Sequence, residues 1–179
     1  PLGPPPDMFW PEPPAQKRIR FVQEISKPAD LGIKPGMLGQ FVDYVIGRPD
    51  ISMVSPYGVT AVAGGGLFVV DTFLRRVHVF DAAANIYSAF PPDRTVLASP
   101  VDIAADDAAG RIYVTDSKSG DVKVFEDRGG RYVKAFGGDL FKRPTGIAVN
   151  AGTSELLVVD TLEAQIGRRR VGKECIVKC

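Results

Sequence analysis

The sequence predicts an all-β chain assembled from a repeated four-stranded unit. Three observations predict it. The segments PYGVTAV, PVDIAAD and PTGIAVN begin at Pro56, Pro100 and Pro144, a spacing of 44 residues both times. Each is followed by an apolar stretch that ends in Asp and a hydroxyl residue: LFVVDT over 67–72, IYVTDS over 112–117 and LLVVDT over 156–161. Turn formers are abundant, with Gly 19 and Pro 15 in 179 residues, which favours many short strands over long helices.

The rest of the unit follows in phase. Each Asp precedes a β-branched residue by six positions, at Val77, Val122 and Ile166. In the first two units this opens a third strand, VHVFD and VKVFE, and a fourth follows at IYSAF and RYVKAF. Four short strands per ~45-residue repeat, joined by turns, are one blade of a β-propeller. The fold class is therefore a partial β-propeller of about two and a half four-stranded blades over residues 54–166. After Ile166 the chain reads GRRRVGKECIVKC, without a V-x-V-F strand. Residues 167–179 are set apart as an atypical basic tail, read as a disrupted end or as a binding surface for an acidic partner.

Within a blade, Pro56, Pro100 and Pro144 fix φ and mark the approach to the innermost strand. Gly58 and Gly146 permit close backbone approach near the central axis, and Asp102 takes that place in the second blade. Asp71, Asp116 and Asp160, with Thr72, Ser117 and Thr161 beside them, stand where the second strand turns into the third. A carboxylate there accepts hydrogen bonds from the N–H groups of its turn. Because they recur once per blade, the three aspartates are spread around a ring and do not converge as a metal or catalytic set would. Val77 with Val79, and Val122 with Val124, are period-2 core, and Phe80 and Phe125 are packing between neighbouring sheets. His78, the single histidine, alternates away from those valines and reads as exposed or structurally satisfied.

Residues 1–16 are Pro-rich, with seven prolines in the first 14 positions, and read as a flexible spacer dispensable for folding. Residues 17–53 hold an alternating strand at KRIRFVQEIS, a break at Lys27-Pro28-Ala29-Asp30 and one short helix over 37–46, where Met37, Phe41 and Val45 recur at helical spacing.

Composition excludes some function classes. Net charge is +1, so no global field points to nucleic acid or to an anionic membrane. No apolar run reaches the ~18 residues of a spanning helix. The two cysteines, Cys175 and Cys179, have no nearby histidine or second pair to complete a zinc site. Ala63-Gly64-Gly65-Gly66 lacks the lysine of a phosphate loop, and no GxSxG or HExxH motif occurs. No catalytic residue, metal or cofactor is expected.

The pattern P-x-G-[VI]-x-V, then [LI]-[FYL]-V-[VT]-D-[TS], then V-x-V-F, resembles the NHL-repeat family of β-propellers over roughly residues 54–166. WPEPP followed by RIRFVQEIS and KPADLGI is similar to the start of bacterial six-bladed NHL-type proteins, often exported and lipid-anchored. The resemblance implies a periplasmic or membrane-anchored, extracytoplasmic setting. It also implies a ring-closing strand at residues 19–25 that joins the last blade. It implies a non-enzymatic scaffold that takes a protein or small ligand on a propeller face. Related propellers include lyases and lactonase-type hydrolases, so a fragment of such an enzyme is the alternative. An incomplete ring should expose Val77, Val79, Leu156 and Val158 and leave an unpaired edge at Leu156 to Asp160, so self-association is expected.

Overall fold

The computed structural model describes residues 8–34, 52–127, 129–163, 165–170 and 176–178. Two short strands open the chain, β1 (Phe9–Trp10) and β2 (Ile19–Arg20). The first blade is β3 (Pro56–Ala61), β4 (Leu67–Asp71), β5 (Arg76–Asp81) and β6 (Ile86–Phe90). The second is β7 (Pro100–Asp106), β8 (Arg111–Asp116), β9 (Asp121–Glu126) and β10 (Tyr132–Phe136). The third is β11 (Pro144–Asn150), β12 (Glu155–Asp160), β13 (Gln165–Arg170) and β14 (Ile176–Lys178). Each blade is an antiparallel meander with its strands in sequence order.

The chain is thus all-β, and the blades fall where the repeat puts them. The third runs further than its sequence pattern. β13 pairs with β12 from Glu155↔Arg170 to Asp160↔Gln165, and β14 pairs with β13. The residues read as a tail complete a four-stranded sheet, and the expected free edge at Leu156 to Asp160 is covered. Backbone pairing needs only N–H and C=O groups in register, so the hairpin forms without the V-x-V-F side chains. The helix expected over 37–46, together with Cys175 and Cys179, lies outside the described residues.

Both faces of the second strand are apolar, in LFVV, IYVT and LLVV, because a blade is covered on both sides. One face of the first blade, with Phe68, Val70 and Val77, packs on Ile112, Val114 and Phe125 of the second. The second blade repeats this toward the third, with Tyr113, Val122 and Val124 against Leu156 and Val158. Burying each such side chain contributes about 1.5–3 kcal/mol. Val77, Leu156 and Val158 therefore lie between blades at 0–1% exposure, and Val79 packs against the same core. The expected exposure does not occur at Val77, Leu156 and Val158, while Val79 is half-buried.

The first blade's outer face is also covered. Val69 and Phe80 pack with Ile33, flanked by Leu31, Met53 and Tyr87. Phe80 thus meets the N-terminal segment, not a neighbouring sheet as Phe125 does. Residues read as a break form a short 3-10 turn, Pro28–Leu31, held by Asp30 Oδ2 accepting from Ser26 and Lys27 N–H at 2.8 and 3.0 Å. Lys34 and Asn85 exchange two hydrogen bonds of 2.8 and 3.1 Å, which pin this segment to the first blade.

The segment read as a ring-closing strand pairs locally instead. Ile19–Arg20 joins Phe9–Trp10, extended by Arg18 N–H to the Trp10 carbonyl and Phe21 N–H to the Met8 carbonyl. The Pro-rich region therefore does enter a sheet, at Phe9 and Trp10, which end its longest run without proline.

The third blade differs at its far face. Val70 and Thr115 stand at one repeat position and are fully buried by the next blade, whereas Val159 at that position is 38% exposed. Near the axis, a Cβ added at Gly58 would lie 2.6 Å from the Asp102 Cα, while one at Gly146 would meet only Val159 Cγ2 at 3.4 Å. Gly58→Ala should therefore cost about 1–3 kcal/mol through overpacking against backbone that cannot yield. Gly146→Ala should cost less than about 1 kcal/mol, since its contact is ordinary. Urea unfolding of the two variants checks the difference, and equal losses would contradict it.

Candidate functional site

The residues predicted to mark each blade meet at one end of it. Pro56 pairs with Asp71, Pro100 with Asp116 and Pro144 with Asp160, so each proline and aspartate closes the same end of a hairpin. Asp71 accepts from Leu74 N–H at 2.8 Å, within its turn, as the sequence predicts. It also accepts from Val54 and Ser55 N–H at 2.7 and 3.2 Å, ahead of the innermost strand. Asp116 repeats this with Ala98 and Ser99 at 2.6 and 3.0 Å, and with Lys118 and Ser119 at 3.1 and 3.0 Å. Asp160 does so with Lys142, Arg143, Leu162 and Glu163. The next residue adds a return bond: Thr72, Ser117 and Thr161 N–H donate to the carbonyls of Ser55, Ser99 and Arg143 at 3.0 to 3.1 Å. Each carboxylate thus clamps the segment arriving at the first strand to the turn leaving the second. The sequence carried a signal for this, since proline and aspartate stand 15 or 16 residues apart in every repeat, a hairpin's length.

The clamps are electrostatically settled. Burial alone would raise the Asp71 carboxyl, but the N–H groups of Leu74, Val54 and Ser55, with His78 nearby, hold it below its ordinary value. Asp160 is lowered likewise, with the N–H groups of Glu163, Lys142, Arg143 and Leu162 outweighing burial. All three carboxylates are 0 to 3% exposed. Each is bonded within its own blade. Among the described residues no group of three His, Cys, Asp or Glu side chains could hold a metal ion.

Two further residues, His78 and Asp102, have partners on other strands that the sequence does not reveal. His78 is buried; its Nδ1 lies 2.8 Å from the Tyr87 hydroxyl and its Nε2 3.7 Å from Asp71 Oδ2. Burial, helped by Arg76, lowers its pKa despite Asp71. Asp102 bridges blades: its Oδ2 accepts from Ile147 N–H at 3.0 Å, and its own N–H donates to Thr115 Oγ1 at 3.0 Å. Thr115 Oγ1 in turn donates to the Thr145 carbonyl at 2.9 Å. Where glycine would let backbones touch, this aspartate ties the second and third innermost strands together.

The two ends of the blades differ in surface chemistry. The clamp end carries the connections 91–99 and 137–143 and the turns after Asp71, Asp116 and Asp160. Exposed Arg75, Arg94, Lys118, Lys142 and Arg143 stand there, against Asp93, Asp139 and a Glu163 paired with Lys142 at 2.6 Å. At the other end Asp81, Asp107, Glu126, Asp127 and Glu155 outnumber Arg111 and Arg131.

Two outcomes follow for stability. Asp116→Ala should cost about 1–3 kcal/mol, because four backbone donors lose a buried acceptor. His78 is held neutral in the fold below its ordinary 6.5, so the unfolded chain binds the proton first. Stability should decline as pH falls below about 6.5. The lowered Asp71 and Asp160 contribute stability above their ordinary 3.8 that is lost below it. Thermal melts across pH should show both phases, with His78→Gln removing the upper one; an unchanged upper phase would contradict the assignment.

Comparison with known proteins agrees with this architecture. Residues 97–125, the heart of the second blade, match the NHL repeat. No curated protein sequence matches the chain significantly. Among solved structures, hydrazine synthase of Kuenenia stuttgartiensis is 18% identical with a TM-score of 0.59, covering 73% of this chain and 36% of that one. A nidogen/laminin complex is 18% identical with a TM-score of 0.60, covering 69% and 47%. The virginiamycin B lyase of Staphylococcus aureus, in its inactive H270A form with quinupristin, is 17% identical with a TM-score of 0.56, covering 69% and 41%. The chain spans less than half the length of these structures. Among its described residues, no helix is long and apolar enough to cross a membrane. The chain is a partial β-propeller whose second blade carries an NHL repeat.

Proposed function

We propose that the chain is a non-enzymatic binding scaffold, a three-blade part of a propeller that takes a protein partner or small ligand on a blade end. The observation that carries this reading is the use of the repeated carboxylates. Asp71, Asp116 and Asp160 spend their oxygens on backbone N–H groups, so the most regular polar chemistry of the chain is structural. The propeller likeness supports the reading at the level of fold, and the N-terminal resemblance favours an extracytoplasmic, lipid-anchored setting within a six-bladed ring.

The second reading is a segment of a lyase or lactonase-type hydrolase whose active site lies in other blades. The likeness to virginiamycin B lyase favours it. A substrate panel of streptogramin B and simple lactones, with and without added divalent metal, run on a full-length homologue that completes the ring, separates the two. The scaffold reading expects no turnover. Metal-dependent turnover would overturn it.

The scaffold also associates with itself in this reading. Val159 and Leu157 occupy positions that the following blade covers elsewhere, and a second copy would cover them here. Sedimentation velocity at micromolar concentration should show a dimer that Val159→Asp shifts to monomer. A monomeric parent chain would contradict this.

A further inference from the structure

The turns at the clamp end place unusual side chains in water. Phe73, Lys118 and Leu162 hold the same position, two residues after the clamp aspartates of successive blades. Phe73 is 72% exposed and Leu162 61%. Val54 and Tyr57, 57% and 73% exposed, stand beside Phe73, because Val54 and Leu74 N–H bind the two oxygens of one Asp71 carboxylate and Pro56 pairs with Asp71. Turns at the opposite end are small and polar, with AGG over 63–65, AAAN over 82–85, DAAG over 107–110 and AGTS over 151–154, although Ile86 and Tyr132, 53% and 41% exposed, begin strands beside them. A single exposed apolar residue means nothing, but a group at one position on one end marks a contact surface.

Resting on the scaffold reading, we propose that the clamp end docks an acidic peptide segment carrying apolar anchors, which seat on Val54, Tyr57, Phe73 and Leu162 while its carboxylates meet Lys118 and the surrounding arginines. The charge of this end selects the partner. Its five exposed cations exceed its acidic groups, and Lys118 sits between the apolar positions of the flanking blades. An acidic chain gains complementary contacts there, and a basic one is repelled. The clamps make the platform rigid, so little ordering cost opposes docking. The surface suits single-stranded nucleic acid less well. Val54 and Leu162 offer no plane for base stacking, and exposed Asp93 and Asp139 lie among the cations.

The test uses the full chain and four probes: a fluorescein-labelled peptide of Glu with interspersed Phe and Leu, its Lys-for-Glu counterpart, its Ser-for-Phe/Leu counterpart, and poly(U). Anisotropy gives affinity, and amide shifts locate the contact. The acidic apolar peptide should bind saturably, weaken at least tenfold on Phe73→Ser or Lys118→Glu, weaken with added salt, and shift amides near 54–57, 73–75, 118 and 162. Both side chains are exposed, so the variants should keep the parent's circular dichroism and melt. Preference for poly(U), equal binding of the Ser-substituted peptide, or indifference to both variants would overturn the proposal. Binding of the Lys peptide at the acidic end, near Asp81 and Asp107, would overturn this site and leave the scaffold reading standing. No binding of any probe would count against both.

Discussion

A buried carboxylate that gathers backbone N–H groups from two sides of a blade is the constraint on which the rest of this structure depends. The segment before each innermost strand has no strand partner for its amides, and buried amides without acceptors are costly. Asp71, Asp116 and Asp160 supply the acceptor from the far end of the next strand. This fixes where each blade begins relative to its own first turn. The residue after the aspartate reinforces the clamp, and its hydroxyl adds to it where Ser117 Oγ and Thr161 Oγ1 donate to the Ser99 and Arg143 carbonyls at 3.3 Å. Its N–H closes the return bond to the arriving chain, and in the first blade Thr72 Oγ1 reaches on to the Pro100 carbonyl of the second, at 2.7 Å.

With the hairpin ends fixed, packing between blades follows from alternation. Residues at even and odd positions of the second strand face opposite neighbours, and both sets are apolar. The two terminal faces are treated differently. The first blade carries a cover of Leu31, Ile33 and Met53, pinned through Lys34 and Asn85. The third presents Leu157 and Val159 on its far side. Among the described residues the first blade's outer face is thus covered, while the third blade leaves Val159 exposed. In the binding reading, the same clamps give the platform that holds Phe73, Lys118 and Leu162 at fixed positions.

Much of this was legible in the sequence because repetition multiplies weak signals. One PxG or one VVDT means little, but three in phase define blade, strand order and turn. What could not be read falls into two kinds. The extra acceptor role of the aspartates involves residues far apart in sequence, and only the hairpin register brings Ser55 beside Asp71. The sealing of the first blade depends on an irregular segment, Pro28–Leu31, whose apolar residues show no period. The strands β13 and β14 are hidden in the sequence for a related reason. GRRRVGKECIVKC lacks alternating apolar residues, and backbone pairing leaves no trace in composition. The surroundings of His78 and Asp102 come from Tyr87, Asp71, Thr115 and Ile147 on other strands, which no single position in the sequence reveals.

The clamps are the central claim, and native-state amide hydrogen exchange reads them directly. Ala98 and Ser99 lie in a connection, outside any strand, where amides ordinarily exchange fast. In the parent chain their N–H groups should exchange nearly as slowly as those of β8, because Asp116 holds them. In Asp116→Ala they should lose that protection together with Lys118 and Ser119, while β10 at the blade's outer edge keeps its own. Fast exchange at Ala98 and Ser99 in the parent chain, or protection there that survives the substitution, would contradict the account.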